Sequence, residues 1–106
     1  MQELTTRDAV DTVLRAPEAV LLKHGANCPI SRAARGELQT FTDRQPDVAV
    51  YGIEVTGHRD LSDYVAERLG VTHASPQLFV LRDGKPVSRA EHFEISAQRL
   101  EQELAG

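Results

Sequence analysis

The amino-acid sequence predicts an α/β fold: a central mixed sheet of four to five strands with helices on both faces. Short apolar runs without hydrophobic–polar alternation are typical of strands that are buried on both faces. Such runs alternate along this chain with segments whose apolar residues recur at helical spacing. Asp83-Gly84 predicts a tight hairpin, which adds antiparallel strands at one side of the sheet.

Length and composition are those of an ordinary globular domain. The 106 residues predict a single domain over residues 1–106. Apolar residues make up 41% and charged residues 26%, which excludes a disordered or fibrous chain. The net charge is −4 and no basic stripe forms, so we expect no nucleic acid and no membrane as partners. One cysteine excludes a scaffold that is held by internal disulfides.

The sequence also predicts a compartment. Its longest apolar stretch, residues 48–53, is far shorter than the ~20 residues that a bilayer-spanning helix needs. Glu3 and Asp8 lie where a secretory signal would be basic and then apolar. We therefore expect a cytoplasmic protein, because a lone thiol stays reduced in the cytoplasm.

The N-terminal half predicts two helices separated by a buried strand. The first helix is expected to start near Thr5, because Thr5 and Asp8 have the spacing of a capping box, and Pro17 ends it. The next elements are a strand at residues 19–22 and a helix at residues 29–43, and a strand near residues 2–4 could complete the sheet.

The C-terminal half predicts a strand, a helix, a hairpin and a last helix. Asp60 is expected to cap the helix, and Gly70 suits the position that follows its last turn. Pro86 marks the returning strand of the hairpin as an edge strand. The strands are expected at residues 48–55, at 78–81 and from residue 85, and the last helix from about Ser96.

This order of elements, α-β-α-β-α-β-β-α, is that of a thioredoxin-like domain. Two successive strand–helix–strand units with right-handed crossovers predict a parallel core of the sheet. The closing hairpin then contributes the antiparallel strands, and the helices must cover both faces.

Cys28 is the candidate catalytic residue. Pro29 suits the first position of the second helix, which makes Cys28 the N-cap and points its sulfur at the free amides of Ile30 and Ser31. Those amides and the positive end of the helix dipole favour the thiolate, which is the form that attacks disulfides. Two other interpretations remain open: Cys28 is a small hydrophobic residue buried in the core, or Asn27 is the N-cap of the second helix.

The residue three positions after Cys28 is Ser31, so no second thiol can resolve a mixed disulfide within the chain. The pattern predicts a monothiol exchange centre that depends on an external thiol. The Ser31 hydroxyl could donate a hydrogen bond to the sulfur. Nearby cations (Lys23, Arg32 and Arg35) could add positive potential, and His24 could polarise the thiol, although none of their directions follows from the sequence.

Two further signals are weaker. Ser75-Pro76, directly before a predicted strand, is compatible with a cis peptide bond, although trans is the commoner state of such a connector. The four histidines and one cysteine show no metal-ligand spacing, so no metal site is expected.

Three segments together resemble the monothiol bacilliredoxin-like family, small thioredoxin-fold proteins of the bacillithiol system. They are Lys23-His24-x-x-x-Cys28-Pro29-Ile30-Ser31; residues 60–70 with Val71-x-His73-x-Ser75-Pro76-Gln77; and Glu91-His92-Phe93-x-Ile95-Ser96. Asn27 stands where a threonine is usual in this family, Gly25 where serine is more common, and Phe93 where tryptophan is frequent.

The resemblance implies that Cys28 is the redox-active thiol and that Pro76 is a cis-proline facing it. It also implies substrate contacts near these two residues, from Asn27, Pro29, Ile30, Ser31, Ser75 and Pro76. The implied substrates are S-bacillithiolated proteins, with bacillithiol as co-substrate, no tightly bound cofactor and a flavin-dependent bacillithiol disulfide reductase acting indirectly.

Two other functions remain open from the sequence. Some monothiol thioredoxin-fold proteins share a [2Fe–2S] cluster between two chains, but these usually have glycine after the cysteine, where this chain has the bulkier Pro29. Alternatively, the chain is a non-catalytic interaction module with an inert thiol.

Overall fold

The computed structural model describes residues 1–105, which form a sheet with helices on both sides. The strands are β1 (Gln2–Glu3), β2 (Glu18–His24), β3 (Val50–Glu54), β4 (Gln77–Arg82) and β5 (Lys85–Glu91). The helices are α1 (Arg7–Arg15), α2 (Pro29–Arg44), α3 (Arg59–Leu69) and α4 (Ala97–Ala105), with a 3₁₀ turn at His92–Glu94.

The sheet is mixed, as the sequence predicts, with the strand order β1-β3-β2-β4-β5. β1 and β2 both pair with β3 in parallel, while β4 pairs antiparallel with β2 and with β5. The predicted N-terminal strand is present, and β5 lies at an edge, which agrees with Pro86 near its start. The α/β prediction is therefore confirmed.

The direction of β4 differs from the prediction. The expected parallel unit of β3, α3 and β4 does not form, because β4 runs antiparallel to β2. Helix α3 spans about 16 Å, at 1.5 Å per residue. The connecting residues 70–76 can reach about 23 Å when extended, which is enough to bring the chain back to the end of the sheet where α3 begins. β4 consequently starts beside the end of β2, where Cys28 lies.

Each face of the sheet has its own apolar core. Ala19 and Leu21 of β2 point to the side that α1 and α3 cover, whereas Val20 and Leu22 point to the side of α2 and α4. All four side chains are at most 2% exposed. The unbroken apolar run of β2 is thus explained by burial on both faces.

Two helices begin at residues other than those predicted. Thr6, not Thr5, caps α1, because its hydroxyl accepts a hydrogen bond from the Ala9 amide at 3.1 Å. The chain is still paired with β3 at Leu4, whose amide donates to the Gly52 carbonyl at 2.7 Å, and this delays the helix. His58 rather than Asp60 is the N-cap of α3, and Asp60 lies in its first turn.

The predicted turn residues behave as their chemistry requires. Gly70 follows α3 in the left-handed conformation, with φ of 67°. Asp83 and Gly84 both have positive φ, which is the backbone of the hairpin turn that matches strand twist.

Candidate active site

Cys28 lies where the loop that follows β2 enters α2. It is the N-cap of α2 with extended backbone, Pro29 occupies the first helical turn, and the thiol is free and partly exposed. Asn27 is exposed and does not cap the helix, and the alternative of a buried hydrophobe is wrong as well. The sole thiol of the chain is therefore accessible at a helix N-terminus.

The surroundings of Cys28 lower the pKa of its thiol below the ordinary value. The largest cause is the amide of Ser31, followed by the amide of Ile30, and both stabilise the thiolate. The Ser31 hydroxyl and the Arg35 charge act in the same direction, whereas partial burial opposes them. The thiol forms no side-chain capping hydrogen bond of regular geometry, so the effect belongs to the charged sulfur.

Ser31 supports the thiol from inside the protein. Its side chain is completely buried, and its Oγ accepts a hydrogen bond from the Gly25 amide at 2.9 Å. Because that bond uses the oxygen as an acceptor, the hydroxyl proton remains available to the sulfur. The side chain of Ser31 does not reach the surface, and the substrate contact that the family resemblance implies for Ser31 stays a prediction.

Arg35 fixes the loop before Cys28. Its Nη1 donates to the Gly25 carbonyl at 2.7 Å and lies 3.2 Å from Nδ1 of His24. His24 Nε2 in turn lies 2.9 Å from a carboxylate oxygen of Glu3. Both ring nitrogens of His24 are therefore engaged away from the thiol, and His24 is not its base.

Glu54, at the end of β3, holds the same loop from the other side, and sequence reasoning missed it. Its carboxylate accepts hydrogen bonds from the amides of Ala26 at 3.1 Å, Thr56 at 3.2 Å and Gly57 at 2.5 Å. The Gly57 amide is the largest of the causes that lower the pKa of Glu54, so this carboxylate stays charged. A signal existed, because Glu54 is the one charged residue in the otherwise apolar strand predicted at residues 48–55.

The Ser75-Pro76 peptide bond is cis, so the trans alternative is wrong. β4 starts at Gln77, which pairs with Lys23, and this register puts Pro76 beside the end of β2 from which the cysteine loop leaves. The Pro76 carbonyl accepts a hydrogen bond from the His92 amide at 3.1 Å. Pro76 is buried and Ser75 half-buried, while Asn27 and Pro29 are exposed and Ile30 is half-buried.

Lys23 does not act on the thiol, because it points into a second polar cluster that the sequence did not reveal. The side chain is completely buried, and its Nζ donates to the Ser62 carbonyl at 2.9 Å. Nδ1 of His73 lies 3.3 Å from that Nζ and 3.0 Å from the Ser62 hydroxyl. Burial lowers the pKa of Lys23 to about 8 and also lowers the pKa of His73.

Residues 1–105 contain neither a cluster of metal-ligating side chains nor a membrane-spanning helix. No group of three or more histidine, cysteine, aspartate or glutamate side chains in this range is arranged to hold a metal ion. No helix in the same range is both long and apolar enough to cross a membrane.

Comparison with solved structures assigns the fold. A thioredoxin-fold protein described as a candidate oxidoreductase superposes with a TM-score of 0.91 and 33% identity, covering 97% of this chain and 92% of that one. Fasciola hepatica thioredoxin superposes with a TM-score of 0.77 and 18% identity, covering 99% and 97%. Mitochondrial thioredoxin 3 from Saccharomyces cerevisiae gives 0.75 and 16%, covering 96% and 91%.

A family model assigns the chain to a narrower group than the structural superpositions do. The model for the monothiol bacilliredoxin BrxC matches residues 2–100, which include Cys28, the cis-proline loop and the segment after β5. The predicted thioredoxin-like fold is confirmed, and a thiol redox function follows from the family together with the oxidoreductase-like neighbour. With a single accessible thiol at a helix N-terminus, this chain belongs to the monothiol bacilliredoxin BrxC family.

Proposed function

We propose that this protein is a monothiol thiol–disulfide oxidoreductase that removes bacillithiol from S-bacillithiolated proteins. The observation that carries the proposal is the partly exposed Cys28 thiol at the N-terminus of α2, with a pKa lowered by the Ser31 and Ile30 amides. A thiolate at neutral pH is the form that attacks a disulfide. Family membership supports bacillithiol as the small thiol.

The reaction is two successive exchanges. The Cys28 thiolate attacks the bacillithiol sulfur of the mixed disulfide; the old S–S bond breaks, and the substrate protein leaves as a thiolate that takes a proton from water. Free bacillithiol then attacks the Cys28 adduct and releases Cys28, forming bacillithiol disulfide. Each step makes one S–S bond and breaks one, so the two electrons that reduce the substrate come from bacillithiol.

The external thiol is required because the chain has a single cysteine. In this proposal the partners are S-bacillithiolated proteins and bacillithiol, with a flavin-dependent reductase recycling bacillithiol disulfide. The protein itself needs no tightly bound cofactor. The proposal assigns it to the cytoplasm, where an exposed unpaired thiol stays reduced.

The test is mass spectrometry of the reduced protein after exposure to bacillithiol disulfide or glutathione disulfide. We expect one bacillithiol adduct on Cys28, released again by free bacillithiol, and no adduct on Cys28→Ser. The wild type should also release bacillithiol from a bacillithiolated protein, whereas Cys28→Ser should not.

Two results would contradict the proposal. Absence of any adduct, together with partner binding that Cys28→Ala leaves unchanged, would indicate a non-catalytic module. Visible absorbance after anaerobic reconstitution with iron and sulfide, without exchange activity, would indicate a cluster carrier.

A further inference from the structure

A cavity of about 370 Å³ opens between the start of α3 and the loop before the cis-proline. This volume lies in the range of small-molecule sites. Its lining residues come from the end of β3, from α3 and from the connector to β4: Val55, Thr56, Arg59, Ser62, Asp63 and His73. None of them has a role in the activation of the thiol described above.

The cavity adjoins the reactive cysteine. The Cβ of Cys28 and the Oγ1 of Thr56 both lie within 4 Å of the point that a Cβ on Gly25 would occupy. Thr56 is therefore a shared wall between the cysteine loop and the cavity. On its other side the cavity reaches His73, three residues before Pro76. A molecule joined to the Cys28 sulfur could thus extend into this space.

The polar groups of the cavity favour a negative ligand. Arg59 lines it, and the buried Lys23 ammonium lies behind His73 and Ser62. Asp63 is the one carboxylate among the lining residues. Asp63 acts on the buried Lys23 ammonium, and the Glu54 carboxylate beside Thr56 already accepts hydrogen bonds from three backbone amides. Arg59 is therefore the charged lining residue that is available to a ligand.

His73 adds a donor of fixed direction. A charged lysine can only donate hydrogen bonds, so Nδ1 of His73 accepts from Lys23 Nζ at 3.3 Å. The ring proton then lies on Nε2, and His73 is exposed at the cavity. Its lowered pKa keeps the ring neutral at pH 7, with Nε2–H free to donate.

We propose that this cavity binds the carboxylate-bearing part of the low-molecular-weight thiol that exchanges with Cys28, with Arg59 as its main charged contact. The inference rests on the proposed function and goes beyond it, because it assigns residues that select the small thiol by charge. The same chemistry would accept the carboxylates of bacillithiol or of glutathione, and the two thiols are separate arms of the test.

The test compares the rates at which Cys28 forms mixed disulfides with four probes. Bacillithiol disulfide and glutathione disulfide carry carboxylates, 2-hydroxyethyl disulfide is uncharged, and cystamine is cationic. Arg59→Gln should slow the two acidic probes roughly three- to tenfold, leave 2-hydroxyethyl disulfide unchanged and speed cystamine, with effects that shrink at high salt. Asp63→Asn should change the acidic and cationic probes in the opposite direction.

Arg15→Gln is the matched control, because it removes the same charge from an exposed residue at the end of α1. It should leave all four rates unchanged. Equal slowing of every probe by Arg59→Gln, or no slowing of any, would overturn the cavity as a subsite while leaving the proposed function intact. If the wild type reacts with none of the four probes, the proposed function itself is overturned.

Discussion

Ser31 and Arg35 act on the Cys28 thiol from the protein side of the site. Ser31 is completely buried and joins the thiol to the Gly25 amide, while Arg35 holds the Gly25 carbonyl at 2.7 Å. The sequence shows that Ser31 and Arg35 lie near Cys28. The directions in which their side chains point depend on the loop that Glu54 fixes. The N-cap position of Cys28 could be predicted, because Pro29 alone nearly determines where α2 begins.

Lys23 makes the free energy of unfolding depend on pH, and substitution of Lys23 isolates this dependence. The folded protein releases the Lys23 proton with a pKa of about 8, against an ordinary value of 10.5 in the unfolded chain. Between these two values the unfolded chain binds more protons, so the free energy of unfolding contributed by Lys23 rises with pH. We therefore expect the stability of the wild type, relative to Lys23→Met, to rise between about pH 8 and pH 10.5.

Urea denaturation of both proteins at several pH values from 7 to 10 measures this difference. Lys85→Met is the control, because Lys85 is exposed and should show no such rise. A wild-type advantage over Lys23→Met that stays constant across the range would contradict the account of a buried lysine with a lowered pKa.

The sequence predicts which helices and strands form, but it predicts the residues at which they begin less accurately. Propensity and spacing predict α1, but pairing of Leu4 with β3 moves its start from Thr5 to Thr6. This shift is caused by a tertiary hydrogen bond, which the local sequence around Thr5 does not reveal. The same holds for α3, where His58 precedes the helix and Asp60 lies within the first turn.

Neighbouring threonines test the start of α1. Thr6→Ala removes the acceptor of the Ala9 amide and should lower the free energy of unfolding by about 1 kcal/mol. Thr5→Ala removes an exposed side chain that does not cap the helix, and it should cost much less. Chemical denaturation of the two variants measures both values; equal losses would show that the cap is not at Thr6.

The turn after β5 presents an aromatic side chain beside the cis-proline. Phe93 is 85% exposed, and its neighbour His92 donates to the Pro76 carbonyl at 3.1 Å. An exposed ring next to the site suits contact with a protein substrate rather than with a small disulfide. Phe93→Ala should therefore slow release of bacillithiol from a protein several-fold, while the rate with bacillithiol disulfide stays the same.

Steady-state rates with the two substrates measure that ratio. Val87→Ala is the control, because Val87 is another exposed apolar residue and lies in the edge strand β5. The role of Phe93 is refuted when Phe93→Ala changes both rates alike or neither.

At the scale of the whole molecule, the order of elements predicts the fold, but not the direction of every strand. Successive apolar runs and the Asp83-Gly84 turn lead to a mixed sheet with two cores, as observed. The antiparallel β4 depends on how the connector after Gly70 crosses the end of the sheet, and no residue pattern expresses that path. This reversal brings Pro76 to the cysteine loop and His73 to the cavity, so the unpredicted part of the fold assembles the site.

The pH dependence of Cys28 alkylation by iodoacetamide tests the central claim, which is that the helix N-terminus and Ser31 hold the thiol ionised. The account predicts a rate midpoint below about 8.5, the pKa of an unperturbed cysteine, and a higher midpoint in Ser31→Ala. A wild-type midpoint at or above that of an unperturbed cysteine, unmoved by Ser31→Ala, would contradict it.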